Sequence, residues 1–148
     1  MTMDRDGPGA ILVGIDGSTP SMRAAAYAVG MARRQHCRLI AVYVRSLPSS
    51  LLPLADTGGT ATVTTIDAQD AVERELREAF QEYLPALGVE AELVIRTGDA
   101  FAELIAAAGE ARADAVIVGR SAGLLHRIAG SLAVKLVRCG RWPVTVVP

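Results

Sequence analysis

Hydrophobic positions along the chain follow two rhythms that alternate with one another. Residues 10–16 (Ala-Ile-Leu-Val-Gly-Ile-Asp) form a short apolar run stopped by Gly17 and Ser18, the pattern of a strand buried on both faces. Ser18 or Thr19 then offers an N-cap, and Pro20 suits the first helical turn, where its missing N–H goes unused. A helix follows to about Gln35, with Met22, Ala25, Val29 and Ala32 on one face. Residues 38–44 read as a second buried strand. The stretch 45–66, holding Pro48, Pro53, Gly58 and Gly59, reads as a long loop. Residues 67–84 are an amphipathic helix with Val72, Leu76, Phe80, Tyr83 and Leu84 at helical spacing and Leu87 just beyond; Pro85 and Gly88 are expected to end it.

The second half repeats the rhythm. Residues 89–96 set Val89, Ala91, Leu93 and Ile95 against Glu90, Glu92 and Arg96, as an edge strand with one wet face would. Gly98-Asp99 caps a helix that turns Phe101, Leu104, Ile105 and Ala108 inward. Residues 114–119 are another buried strand. A last helix is predicted from about 127 to 138, with Ile128, Leu132, Leu136 and Val137 as its apolar stripe, and residues 143–148 close as a strand. Strands alternating with helices imply right-handed crossovers. The predicted fold is therefore α/β, an open five-stranded parallel sheet with helices on both faces. Ligands of such sheets bind beyond the carboxyl ends of the strands, where the strand order reverses. That directs attention to residues 16–19, 44–46, 97–99 and 119 onward.

Composition narrows the classes. The 148 residues suit one domain, 1–148, and 51% apolar with 21% charged residues is a globular balance. A net charge of −1 argues against nucleic acid as a partner, and no apolar run is long enough to span a membrane. Residues 1–9 lack the apolar core of a leader, and two cysteines, Cys37 and Cys139, make no disulfide framework, so a cytoplasmic, reducing home is expected. Charge is nevertheless uneven. No acid follows Asp114, whereas Arg120, Arg127, Lys135, Arg138 and Arg141 do, which suits a small anion better than a polymer.

The segment 119–131 (Gly-Arg-Ser-Ala-Gly-Leu-Leu-His-Arg-Ile-Ala-Gly-Ser) joins a buried strand to a helix. Its glycines allow backbone N–H groups to approach an anion, and the helix beyond presents its positive end. The alternative is a plain glycine-containing connection. Gly119-Arg-Ser-Ala-Gly123 also matches the G-x-S-x-G elbow of serine hydrolases, but no acid follows Ser121 and the later histidine, His126, is only five residues on. That match is set aside. No dinucleotide or P-loop motif exists, and His36, His126, Cys37 and Cys139 lack metal-ligand spacing, so no metal is expected. Asp16, at a strand end, would repel phosphate. It suits the base or sugar end of a nucleotide, or serves merely as a turn residue.

Taken together, Ile11-Leu-Val-Gly-Ile-Asp-Gly-Ser18, Ala41-Val-Tyr-Val44, Gly98-Asp-Ala100, Ala113-Asp-Ala-Val-Ile-Val-Gly119, Gly130-Ser131 and Pro143-Val-Thr-Val-Val147 resemble the universal stress protein family over essentially the whole chain. The resemblance implies a Rossmann-like sandwich of the adenine nucleotide alpha hydrolase-like type. It further implies a stress-responsive homodimer joined through the final strand, 143–148, and in one branch ATP or another adenine nucleotide as ligand. In that branch Asp16 and Val44 would hold the adenosine end. Gly119, Ser121, Gly123, Gly130 and Ser131 would lie near the phosphates, with Ile15 and Val118 beside them.

One feature departs from the family motif, G-x-x-G, nine residues, then G-[ST]. Here Ala122 stands where the second glycine belongs, Gly123 follows it, and Gly119 to Gly130 spans 11 positions rather than 13. Two readings stay open: a nucleotide-binding regulatory module, and a nucleotide-free dimeric scaffold. No general base stands out beside the glycine loop, so neither reading is an enzyme, with slow ATPase activity a weaker third option.

Overall fold

The first apolar run becomes β1 (Ala10–Ile15), buried along nearly its whole length. This computed structural model describes residues 8–47, 60–120 and 131–148. After β1 the chain turns through Gly17, whose φ of +81° is a backbone state that favours glycine, and enters α1 (Thr19–Gln35). The Ser18 hydroxyl caps α1 by accepting the amide of Ser21 at 3.3 Å. Next come β2 (Arg38–Arg45), α2 (Thr60–Leu87), β3 (Ala91–Thr97), α3 (Ala100–Glu110), β4 (Ala115–Gly119), α4 (Leu132–Cys139) and β5 (Val144–Val147).

Among the described residues the five strands form one open parallel sheet in the order β3-β2-β1-β4-β5. The chain winds outward from β1 through β2 to β3, then returns to the other side of β1. The order therefore reverses between β1 and β4, which pair from Ile11–Ala115 to Gly14–Val118. Period-two alternation splits the core into two layers. Ile11, Val13, Ile15, Tyr43 and Ile117 pack against α1 and α2 through Ala24, Ala28, Ala32 and Leu76. Leu12, Val42, Val116 and Val118 pack against α3 and α4 through Leu104, Ala108 and Leu136.

Several predicted details shift. In α1 the buried face is centred on Ser21, Ala24, Ala28 and Ala32; of the expected stripe Ala32 is buried and Ala25 and Val29 flank the core, but Met22 stays 42% exposed. Small residues face the sheet because α1 lies too close to β4 for larger ones. Part of the predicted loop is helical: α2 begins at Thr60, although its threonine-rich start has weak helix propensity, because extending an existing helix costs only tenths of a kcal/mol per residue. The same helix runs through Pro85, which sits in its last turn, and stops before Gly88 at φ +65°. Residues 48–59 lie outside the described set.

At α4 the backbone of Ser131 is extended (φ −58°, ψ 157°) and its hydroxyl caps the helix, so α4 starts at Leu132 rather than near 127. Leu136 is buried as expected, while Val137 is 58% exposed; Ile128 lies outside the described residues. Among the described residues no helix is long and apolar enough to cross a membrane.

Candidate functional site

The reversal between β1 and β4 opens a crevice of about 410 Å³ at the carboxyl ends of the strands. Its wall is set by strand alternation: Gly14 and Asp16 from β1 and its end, Val42, Val44 and Ser46 from β2, and Val118 and Arg120 from β4 all line it. Ala100 and Leu104 of α3 and Leu132 of α4 close the far side, and Ser18 and Ser21 bring in the start of α1. One part of the cavity is apolar, and its rim carries a carboxylate, a guanidinium and hydroxyls. That is the mix found in small-molecule sites.

Asp16 is fixed by the turn it begins. Its Oδ1 accepts the amide of Ser18 at 2.9 Å, and its own amide donates to the Ser21 hydroxyl at 3.1 Å. That hydroxyl in turn donates to the Ser18 carbonyl at 3.0 Å, so the buried Ser21 has both its donor and its acceptor capacity used. Partial burial pushes the Asp16 carboxyl upward. Hydrogen bonds from Ser18 outweigh it and hold the group below its ordinary value. The residue is thus an anion at neutral pH, able to accept hydrogen bonds from hydroxyls or an amino group but not to attract phosphate.

Gly119 plays a part that the sequence alone did not suggest. A Cβ built on it would lie 2.5 Å from the carbonyl carbon of Pro20 and 2.6 Å from the amide nitrogen of Ser21. The tip of β4 therefore packs backbone to backbone on the first turn of α1. Just beyond, the Arg120 amide donates to the Val147 carbonyl at 2.7 Å and carries the β4–β5 ladder one step further. On the neighbouring strand, Arg45 turns from the crevice to pair with Asp70 at 2.5 Å and Glu73 at 2.8 Å, both on α2.

Of the residues expected at the site, Ile15, Asp16, Val44, Val118 and Gly119 line the crevice. The Ile15 side chain, however, is buried in the opposite layer, so this residue offers the cavity only its backbone. Ser131 caps α4 through a 3.2 Å bond from the Val134 amide, directly before Leu132 of the lining. Ser121, Gly123 and Gly130 lie outside the described residues. Ser18, Ser46 and Arg120 fall in the strand-end segments to which the sequence directed attention, and Arg120 belongs to its cationic set, whereas Ser21 and Leu104 were not singled out as site residues. The period-two rule, counted from Gly14 and Val118, puts Arg120 on the crevice face. Among the described residues no cluster of three or more His, Cys, Asp or Glu could hold a metal ion.

The sequence profile of the universal stress protein family matches residues 9–148, nearly the full chain. The chain belongs to the universal stress protein family. Among solved structures, a family member from Burkholderia pseudomallei is 27% identical, with a TM-score of 0.73 over 95% of this chain and 96% of that one. A universal stress protein in complex with cAMP is 24% identical, with a TM-score of 0.69 over 96% and 98% of the two chains. A family protein from Arabidopsis thaliana with AMP bound is 18% identical, with a TM-score of 0.64 over 93% and 90%. No curated protein matches the sequence significantly. The open, five-stranded parallel α/β sheet of this universal stress protein is the architecture these structures share.

Proposed function

We propose that this universal stress protein is a regulatory module that binds an adenine nucleotide in the β1/β4 crevice, as a cytoplasmic homodimer. The observation that carries the reading is one cavity joining an apolar wall (Val42, Val44, Leu104) to a carboxylate held anionic at Asp16 and a cation at Arg120. A purine fits the apolar wall, and its sugar hydroxyls or amino group suit Asp16. Phosphate belongs beside it on the cationic side of the same cavity, near Arg120 and the capped start of α4. Structures of two relatives, one with cAMP and one with AMP, support adenine as the base. ATP is the alternative within the same class. We assign binding, not turnover, because Asp16 is the one carboxylate lining the crevice among the described residues and it is already engaged by Ser18.

Isothermal titration with ATP, ADP, AMP and cyclic AMP tests this. Heat with at least one ligand at or below millimolar concentration, reduced by Asp16→Asn, is the expected outcome. No heat with any of the four removes the proposal. The second reading is a nucleotide-free scaffold, and Gly119 favours it, since packing against Pro20 accounts for that glycine without any ligand. Under that reading Asp16→Asn leaves stress survival unchanged.

A further inference from the structure

We infer that Arg120 is a binding residue for the phosphoryl group nearest the sugar, so that the crevice reads a nucleoside monophosphate unit through a side chain as well as through backbone. The inference rests on the nucleotide reading above. Three observations carry it. First, alternation fixes the direction of the side chain: the Cβ position of Gly119 points at Pro20 of α1, so its neighbours Val118 and Arg120 emerge on the crevice side, and both line the cavity. Second, the backbone of Arg120 is pinned by its 2.7 Å bond to Val147, which mounts a long cationic side chain on a fixed base.

Third, among the described residues nothing takes up the guanidinium. Among the described residues the ion pairs of arginine involve Arg45, Arg77 and Arg96, none at the crevice rim, and the sequence has no acid anywhere after Asp114. Asp16 is near in register, since it and Arg120 each lie two residues past the Gly14–Val118 pair. Paired strands stand about 5 Å apart, and the β1–β4 pairing ends at Gly14–Val118, where the crevice opens between the two residues. The Asp16 carboxylate nevertheless makes no ion pair with Arg120, because it is turned to the Ser18 amide at 2.9 Å. Two opposite charges thus line one cavity without pairing with each other. A ligand satisfying both must place donors and an anionic group a few ångströms apart. Sugar hydroxyls and the first phosphate have that separation, whereas a terminal phosphate of a triphosphate lies well beyond it. Arginine's planar fork suits two phosphate oxygens at once.

The test compares AMP with adenosine by isothermal titration on the full chain, using wild type, Arg120→Gln and Arg120→Lys, with thermal melts to confirm folding. Arg120 is exposed and its backbone bond survives substitution, so the variants keep the fold. Expected is a roughly 10- to 100-fold loss of AMP affinity in Arg120→Gln, partial recovery in Arg120→Lys, and unchanged adenosine affinity. Wild-type binding of AMP that Arg120→Gln leaves intact overturns this inference alone, as does an equal loss for adenosine. Failure of the wild type to bind either ligand overturns it together with the nucleotide reading.

Discussion

Gly119 and Pro20 meet with no space for a side chain between them: a Cβ on the glycine would stand 2.5 Å from the carbonyl carbon and 2.6 Å from the carbonyl oxygen of the proline. This approach sets the height of the whole crevice rim. It brings the start of α1 down onto the tip of β4, and from that turn Ser21 and Ser18 reach Asp16. The alanines at 24, 28 and 32 continue the close approach along the helix.

Gly119→Ala must move α1 away from the sheet, because the colliding atoms are backbone and cannot rotate aside. The expected cost is about 1–3 kcal/mol, read as a lower urea midpoint at unchanged slope. Gly109→Ala makes the control. It lies inside α3 with nothing within 4 Å of its would-be Cβ, so the same change there is expected to add about 0.5–1 kcal/mol of stability.

Ser21→Ala tests the turn rather than the packing. The substitution removes the acceptor of the Asp16 amide and the donor to the Ser18 carbonyl, which together steady the Ser18 amide that holds the Asp16 carboxyl low. A loss of about 1–3 kcal/mol in stability is expected. In a carbon-detected NMR titration the Asp16 carboxyl should move upward. An unmoved Asp16 titration would show that Ser18 holds the carboxyl low without support from Ser21.

Much of this architecture is written plainly in the sequence. Residues 10–16, 38–44 and 114–119 are apolar almost throughout because β1, β2 and β4 are covered on both faces, and such runs need no context to be read. Helix faces are harder. Met22 looks like a core residue and is exposed, because the distance between α1 and the sheet, which only the Gly119 packing reveals, admits nothing larger than alanine or serine. The helical start at Thr60 is hidden by β-branched residues whose propensity the rest of a 28-residue helix overrides. At the site, motif reading placed Ile15, Asp16, Val44, Val118 and Gly119 at the crevice. Alternation adds what the motif does not say: Ile15 offers only its backbone, and Arg120, read from the sequence as part of a cationic set, faces the cavity.

Acid sensitivity is predicted at Glu73, which joins Arg77 and Arg45 at 2.8 Å each. Hydrogen bonds from Arg77 first, then Arg45, hold its carboxyl below the ordinary value despite some desolvation. A carboxyl lowered in the folded state stabilises the protein fully above its unfolded pKa of about 4.3, and that contribution disappears as the pH falls through the folded value. Glu73→Gln should therefore cost about 0.5–1 kcal/mol at neutral pH, a modest figure because solvent reaches the pair. The gap between variant and wild type should close as the pH drops below about 4.3, measured by urea unfolding across the acid range.

The last strand carries the proposal of a homodimer. β5 is an outer strand of the sheet, its residues 144–147 are Val-Thr-Val-Val, and Val146 is 43% exposed. An apolar outer strand of this kind is a template for another chain, and pairing with a second copy about a two-fold axis covers both at once. In such an isologous pair a single substitution appears twice in one interface, so Val146→Lys sets two ammonium groups near each other where valines met. Sedimentation velocity is expected to show a dimer for wild type and a monomer for Val146→Lys with an unchanged circular dichroism spectrum. Glu92→Lys, which places the same charge on the opposite outer strand β3, should leave the dimer intact. A wild-type monomer, or a Val146→Lys dimer as tight as wild type, would move the interface elsewhere or remove it.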